Sequence, residues 1–352
     1  MAKLRFVIGD SDEKYTRRLS DYTALHFGEK IEMYSFTEPG FLCTFLQKNW
    51  VNGVFVSDNF SGIRSQIPEK TAFAFLSEGS GVEEHGDAPE ILKFQNADAL
   101  IREMISYSSE QVSDQYGGRK SGERAVICLF ESPAGGVGTT TAAASCAVYL
   151  SHMGKRVLYL NLEPFGDVSA FFSGDGHFDF GDVIYALISR KANLGLKLES
   201  VVKQDVSGVF FIEPCRQPMD FMSLNVQGME EIADTLCEMG NYDSIIMDRN
   251  SGLTKLDECL RAYADEIILV SDGSPVADCK VERLYRAAGI CDGQEDNGIR
   301  RKMRLLYNRC SGEKAGAGEI PVLGCFPRFG GMPQKMIPGQ AVGTDVFAKL
   351  LR

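Results

Sequence analysis

"SPAGGVGTTTAAA", residues 132–144, is the stretch from which the fold of this chain is read. It follows the apolar run "RAVICLF" (124–130) and leads into an alanine-rich segment, Thr140 to Met153, stopped by Gly154. A strand, a glycine-rich turn and a helix in that order make a phosphate-binding loop. Backbone N–H groups line it and the helix dipole adds its partial positive charge. Gly135, Gly136, Val137 and Gly138 supply the N–H groups, and Thr140 falls where the loop's Ser/Thr ligates Mg2+. The loop lacks its lysine. Thr139 stands after the last glycine, where G-x-x-x-x-G-K-[ST] has the residue that reaches the β- and γ-phosphates. A bare glycine turn between strand and helix can also be purely structural, so its companions decide.

Outward from the loop, apolar runs alternate with helical segments: "RVLYLNL", "GVFFIE", "YDSIIMD", "DEIILVS", "MRLLYN" and "PVLGCF". They are apolar almost throughout, as strands covered on both faces are. The same alternation occurs at smaller scale before residue 107, with strands "LRFVI", "IEMYSF", "GVFVS", "TAFAFLS" and "EILKF" and helices at Glu13–Phe27 and Asn96–Ser106. Between the halves lies "YSSEQVSDQYGGRKSGER" (107–124), with almost no apolar content. The fold class expected is α/β, with two doubly wound parallel-sheet domains, at 1–108 and 124–352, joined by a linker at 109–123.

Composition narrows the function. A net charge of −11 and a pI near 5.0 count against a nucleic-acid partner. One basic cluster, Arg300-Arg301-Lys302 with Arg304, reads as a solvated lead-in to a strand. Ten cysteines occur without a C-x-x-C pair and the four histidines are scattered, which argues against zinc or iron–sulfur centres. No signal peptide or membrane-length apolar run is seen, and a cytoplasmic protein with reduced thiols is expected.

The companion of the loop is Asp248, which ends the strand "YDSIIMD" as a Walker B acid does. The ordered set "AGGVGTTT" (134–141), "LYLNLEPFGD" (158–167), "YDSIIMD" (242–248) and "YNRC" (307–310) resembles the deviant P-loop ATPases of the ParA/MinD class. The segments 264–284 and 320–329 also look like that family's strands, so the resemblance covers about 124–352. It implies an ATP and Mg2+ site. Ala134 to Thr141 would cradle the phosphates, Thr140 and Asp248 would hold Mg2+, and Asn308, Arg309, Pro327 and Arg328 would line the base pocket.

The departures from the pattern bear on chemistry. Ala134 replaces the signature lysine, which in the family crosses a dimer to the partner's nucleotide, and Thr139 replaces the P-loop lysine. Asn161 and Glu163 stand where the family has two aspartates that place Mg2+ and the attacking water. Phosphoryl transfer depends on positioning and charge stabilisation, and removing one such donor costs about 3–4 kcal/mol. ATP binding with slow or absent hydrolysis is therefore expected. Glu163 and Asn161 are the candidates for orienting water, and Arg249 or Arg216 for a replacement charge.

"FVIGDSDEKYTRRL" (6–19) resembles the start of a response-regulator receiver, with Asp10 and Ser11 where two acids hold Mg2+. "VFVSDN" places Asp58, or by a one-residue shift Ser57, at the phosphoacceptor. Ser77 stands at the switch position and Lys93 at the late lysine. A receiver-like domain before a lysine-less ParA/MinD-like domain is the layout of the TadZ/CpaE group. That implies a homodimeric scaffold that localises Flp-type (Tad) pilus assembly proteins, at a cell pole and at most peripheral to the inner membrane. The C-terminal "TDVFAKLLR" could place Val346, Phe347, Leu350 and Leu351 on a membrane or against the core. Two other functions stay open: an active partitioning ATPase, and a regulator phosphorylated at Asp58.

Overall fold

The structure is a computed structural model that describes residues 3–68, 71–79, 89–109, 124–190, 192–295, 298–310 and 318–350. Apart from Ser109, the expected linker lies outside the described residues. In chain order the first half contains β1 (Leu4–Gly9), α1 (Glu13–His26), β2 (Ile31–Phe36), α2 (Pro39–Leu46), β3 (Gly53–Val56), β4 (Ala72–Ser77), β5 (Glu90–Leu92) and α3 (Ala97–Ser109). There follow β6 (Val126–Ser132), α4 (Thr139–His152), β7 (Val157–Asn161), α5 (Phe180–Ser189), α6 (Leu194–Val201), β8 (Lys203–Gln204) and β9 (Phe210–Ile212). The remainder is α7 (Pro218–Phe221), α8 (Val226–Glu238), β10 (Ser244–Asn250), α9 (Lys255–Tyr263), β11 (Glu266–Ser271), α10 (Pro275–Glu295), α11 (Ile299–Lys302), β12 (Met303–Cys310) and β13 (Val322–Pro327).

The chain forms two compact units, the first comprising Met1–Arg119, Asp175–Phe178 and Tyr185–Val201, and the second everything else. The first unit is built on a five-stranded sheet of order β2-β1-β3-β4-β5, every neighbouring pair parallel. This is the flavodoxin-like order, whose switch point lies between β1 and β3. Asp12 caps α1 by accepting from the N–H groups of Lys14 and Tyr15. On one face, α1 and α3 bury Leu19, Leu100, Ile101, Met104 and Ile105 against Phe6, Ile8, Phe55 and Leu76. Helix α6 joins this core through Leu196. It is tied to α3 by Arg102 Nη1 donating to the Glu199 carbonyl (3.0 Å) and by the Asn193 N–H donating to the Ser109 carbonyl (2.8 Å).

The second unit holds an eight-stranded sheet, β13-β12-β11-β6-β10-β7-β9-β8. All its pairs are parallel except β8 with β9, a short antiparallel addition at the edge that the apolar pattern did not signal. β6 lies between β11 and β10, so the turn that follows it opens at the carboxyl end of the sheet. The alanines of α4 have a packing reason. Ala142, Ala143, Ala144 and Ala147 are fully buried, and small side chains let the helix lie close to the sheet. The C-terminal segment packs against both the helix and the sheet. Phe347, fully buried, meets the rings of Phe130, Tyr149 and Phe326, and Leu350 is buried as well. Burying one such ring is worth about 1.5–3 kcal/mol, so Phe347 and Leu350 are committed to the core, while Leu351 lies outside the described residues. Among the described residues no helix is long and apolar enough to cross a membrane.

Candidate functional site

The turn between β6 and α4 is shaped by two left-handed glycines, Gly136 (φ 76°) and Gly138 (φ 86°), the latter being the N-cap of α4. Side chains rarely adopt that backbone, so glycine is required at both. The entry is anchored by Ser132, whose hydroxyl donates to the Val270 carbonyl (2.7 Å) and accepts from the Ala134 N–H (3.1 Å). Ala134 is buried, Gly135 and Gly136 are exposed, and Thr139, Thr140 and Thr141 form the half-buried first turn of α4.

β12 clamps this turn. Asn308 Nδ2 donates to the carbonyls of Val137 (2.7 Å) and Gly138 (3.3 Å), and its Oδ1 accepts from the Arg309 N–H (2.9 Å). Arg309 has a positive φ of 57° and its Nη1 donates to the Gly136 carbonyl (2.9 Å). Asn308 and Arg309, assigned to the base pocket by resemblance, both donate hydrogen bonds to the loop. A side chain at 138 would strike the Asn308 amide. Pro327 ends β13 and Arg328 follows it, exposed, beside β12.

The second part of the site lies where β10 and β7 end side by side, with Asp248 paired to Asn161 in register. Asp248 is fully buried. Its Oδ2 accepts from the Tyr159 hydroxyl (2.8 Å) and from Asn161 Nδ2 (3.1 Å), whereas its Oδ1 is buried with no hydrogen-bond partner. Burial pushes the carboxyl up to about 7. The Tyr159 hydroxyl pulls against that rise, the Glu163 charge adds to it, and the Thr140 side chain pulls down more weakly. Asn161 is engaged at both ends, since its Oδ1 accepts from the Glu163 N–H (3.0 Å). Glu163 is half-buried, and burial raises its pKa against the lowering effect of Arg249. Arg249 is fixed by Asp257 (2.6 Å) and by donating to the Leu162 carbonyl (2.7 Å). Arg216 is largely exposed and pairs with Asp179 at 3.6 Å.

Oδ1 of Asp248 is the observation that bears on a metal. An unsatisfied buried carboxylate oxygen costs about 1–3 kcal/mol or more, and native structures keep such atoms where a ligand or ion completes them. Mg2+ is commonly held by one or two carboxylates together with substrate phosphates and water. Thr140 and Asp248 fit that requirement. Among the described residues no group of three His, Cys, Asp or Glu could hold a metal ion, so the nucleotide would supply the remaining ligands.

Two features of the site were missed from the sequence. Tyr159 is one. The other is a buried ion pair at the stem of the loop, in which Arg261 Nε and Nη2 each contact a Glu131 carboxylate oxygen at 2.8 Å. Arg261 also donates to Ser251 Oγ (3.1 Å) and the Gly252 carbonyl (2.8 Å), joining the loop's strand to the segment after Asp248. A hollow of about 630 Å3 lies beyond Glu163, lined by Phe165, Val168, Phe172, Cys215 and Arg216 among others, and so not at the phosphate loop.

In the first unit the receiver-like candidates gather at the carboxyl ends of the strands. Asp10 follows β1, Ser57 and Asp58 follow β3, Ser77 ends β4 and Lys93 follows β5. The Ser57 N–H donates to the Gly9 carbonyl (2.9 Å), continuing the β1–β3 ladder, and Asp58 opens a 3-10 helix one residue later. Lys93 is buried, with Nζ 2.7 Å from Asp10 and 3.1 Å from Glu78. Burial would lower its pKa, and the two carboxylates outweigh that and raise it.

Residues 2–109 match the domain family described as TadZ-like, receiver domain. The septum site-determining protein MinD of Buchnera aphidicola (Acyrthosiphon pisum) is 24% identical over 237 residues, covering 62% of this chain and 84% of the relative. The putative replication protein A of Sinorhizobium fredii is 26% identical over 196 residues, and the match spans less than half, 44%, of that relative. Among solved structures, the ParA family ATPase of Chlorobium tepidum superposes with a TM-score of 0.53 at 18% identity, over 66% of this chain and 99% of that one. A chain of the MinC:MinD complex of Aquifex aeolicus gives 0.51 at 17%, over 64% and 96%. The structural likenesses show the fold.

Proposed function

From a TadZ/CpaE-type architecture, a TadZ-like receiver domain followed by a ParA/MinD-type α/β fold, we propose that this chain is an ATP-binding positioning protein of Tad pilus assembly. It would act as a nucleotide-bound homodimer that holds other pilus-assembly proteins in place, at a cell pole on the cytoplasmic side, with little or no hydrolysis. Residues 1–108 and 124–352 would be its two domains in sequence, with Asp175–Phe178 and Tyr185–Val201 packed into the first unit. The observation that carries the reading is the loop itself. Its backbone is held by Gly136, Gly138 and the Asn308 clamp, while neither lysine position holds a cation.

Bound Mg2+ would offset phosphate charge, with Thr140 and Asp248 holding it. The residues themselves do the rest. The N–H groups of 135–138 and the α4 dipole bind the anion without a lysine. Asn161, engaged by Asp248 and by the Glu163 N–H, is a brace. Glu163 is the carboxylate left to orient water. Arg249, the cation that acts on Glu163, is itself committed to Asp257 and a carbonyl. Positioning without charge stabilisation leaves turnover slow.

The test is to extract nucleotide from the purified chain and to measure turnover for wild type and Thr139→Lys. About one ATP or ADP per chain, with turnover that rises at least tenfold on restoring the lysine, is expected. A chain that never retains nucleotide in Mg2+ sinks the binding reading, and unchanged turnover in Thr139→Lys sinks the account of slow hydrolysis. In the first unit, Lys93 already satisfied by Asp10 and Glu78 favours a contact role over phosphorylation.

A further inference from the structure

The Tyr159 hydroxyl is unexplained by packing. Its ring is fully buried and packs 5.0 Å from that of Phe172, a role phenylalanine would fill without having to bury an O–H. A buried hydroxyl is costly unless it has an acceptor, and this one has Asp248 Oδ2. Tyr159 and Asn161 lie two residues apart on β7, so they point to the same face, and both donate to one oxygen although the other is bare. A carboxylate that served only to satisfy its neighbours would spread two donors over two oxygens. Here both anchor the same edge, which fixes the rotation of the group and leaves Oδ1 uncommitted.

We propose that Tyr159 is a positioning residue for the cation-binding carboxylate: with the Asn161 amide it pins Asp248 Oδ2, so that Oδ1 alone is presented to Mg2+ beside Thr140. The inference rests on the nucleotide and Mg2+ reading above and adds to it the means by which a single acid suffices. Partners that orient a metal ligand through hydrogen bonds typically contribute about 10–100-fold in metal affinity.

The experiment titrates Mg2+ into full-length protein and follows retention of a fluorescent ATP analogue, with the electron paramagnetic resonance of bound Mn2+ in the presence of ADP as an independent readout of the metal. Tyr159→Phe is expected to raise the Mg2+ midpoint by about tenfold or more and to weaken Mn2+ retention, while analogue binding in EDTA is unchanged. Phe172→Leu disturbs the same packing and should leave the midpoint within about twofold. In a cycle with Asn161→Ser the two losses should not add, because both donors serve one oxygen. A Tyr159→Phe midpoint within twofold of wild type, or additive losses, overturns the proposal. If Tyr159→Phe does not fold, the Asn161→Ser midpoint decides, and no shift there overturns it. Wild-type retention indifferent to Mg2+ overturns the underlying metal reading, and this proposal with it.

Discussion

Replacing Asp248 by asparagine should stabilise the metal-free protein while abolishing its response to Mg2+. The side chains are nearly the same shape, and the variant removes a charge that is buried with one bare oxygen. The carboxyl is raised from 3.8 to about 7 in the folded chain. Three pKa units correspond to about 4 kcal/mol. The direction follows from proton counting. Below pH ~4 the acid is neutral in both folded and unfolded chains and costs nothing. Between pH ~4 and ~7 the unfolded chain ionises while the folded one keeps its proton, so stability falls as pH rises, and above ~7 the full penalty is present. Urea denaturation in EDTA at several pH values across that window should show wild type losing up to about 4 kcal/mol relative to Asp248→Asn. Adding Mg2+ and ATP should restore stability to wild type, by mass action on the folded state, whereas the variant should gain no more from ATP with Mg2+ than from ATP in EDTA. Parallel pH profiles for the two proteins, within about 0.5 kcal/mol, would refute the claim that the carboxylate is held at the folded chain's expense.

Two further substitutions probe the frame around the loop. Arg261→Ala leaves Glu131 charged and buried and should cost about 3–5 kcal/mol in urea denaturation, whereas the double change Glu131→Met with Arg261→Met should recover most of it. Gly138→Ala meets both a positive φ and the Asn308 amide, and should lower the melting temperature and nucleotide retention together. Gly135→Ala, in open space without a positive φ, is the control and should leave the melting temperature within a degree or two.

Much of the fold was legible because strands buried on both faces are written as apolar runs and the loop by its glycine spacing, both local signals. Thr139 could be recognised as a missing cation from the loop's spacing, and Ala134 from the resemblance to the ParA/MinD class. The partners of Asp248 could not. Tyr159 lies 89 residues away and reaches it only because β7 pairs with β10 in one register, a tertiary fact. The trace that could have found it is a polar ring inside the aliphatic run "VLYLN", two residues before Asn161 and so on its face. The Glu131–Arg261 pair spans 130 residues and is invisible for the same reason, although a glutamate closing an apolar strand is itself a sign that a cation is waiting. Asp12 shows the opposite case. It lies two residues past Asp10 and directly before a helix, and capping α1 is what it does.

The assignment of Tyr185–Val201 to the first unit has a consequence for synthesis on the ribosome. Helix α3 emerges early, with Leu100, Ile101, Met104 and Ile105 on the face where Leu196 will later sit. Until residue 201 has left the exit tunnel that face lacks its last piece, and the N-terminal unit cannot finish folding before much of the following sheet's sequence has been made. Order of appearance and order of completion are therefore different in this chain. A cut at the polar stretch around residue 110 would release a first half with its own sheet but without the helix that completes its core.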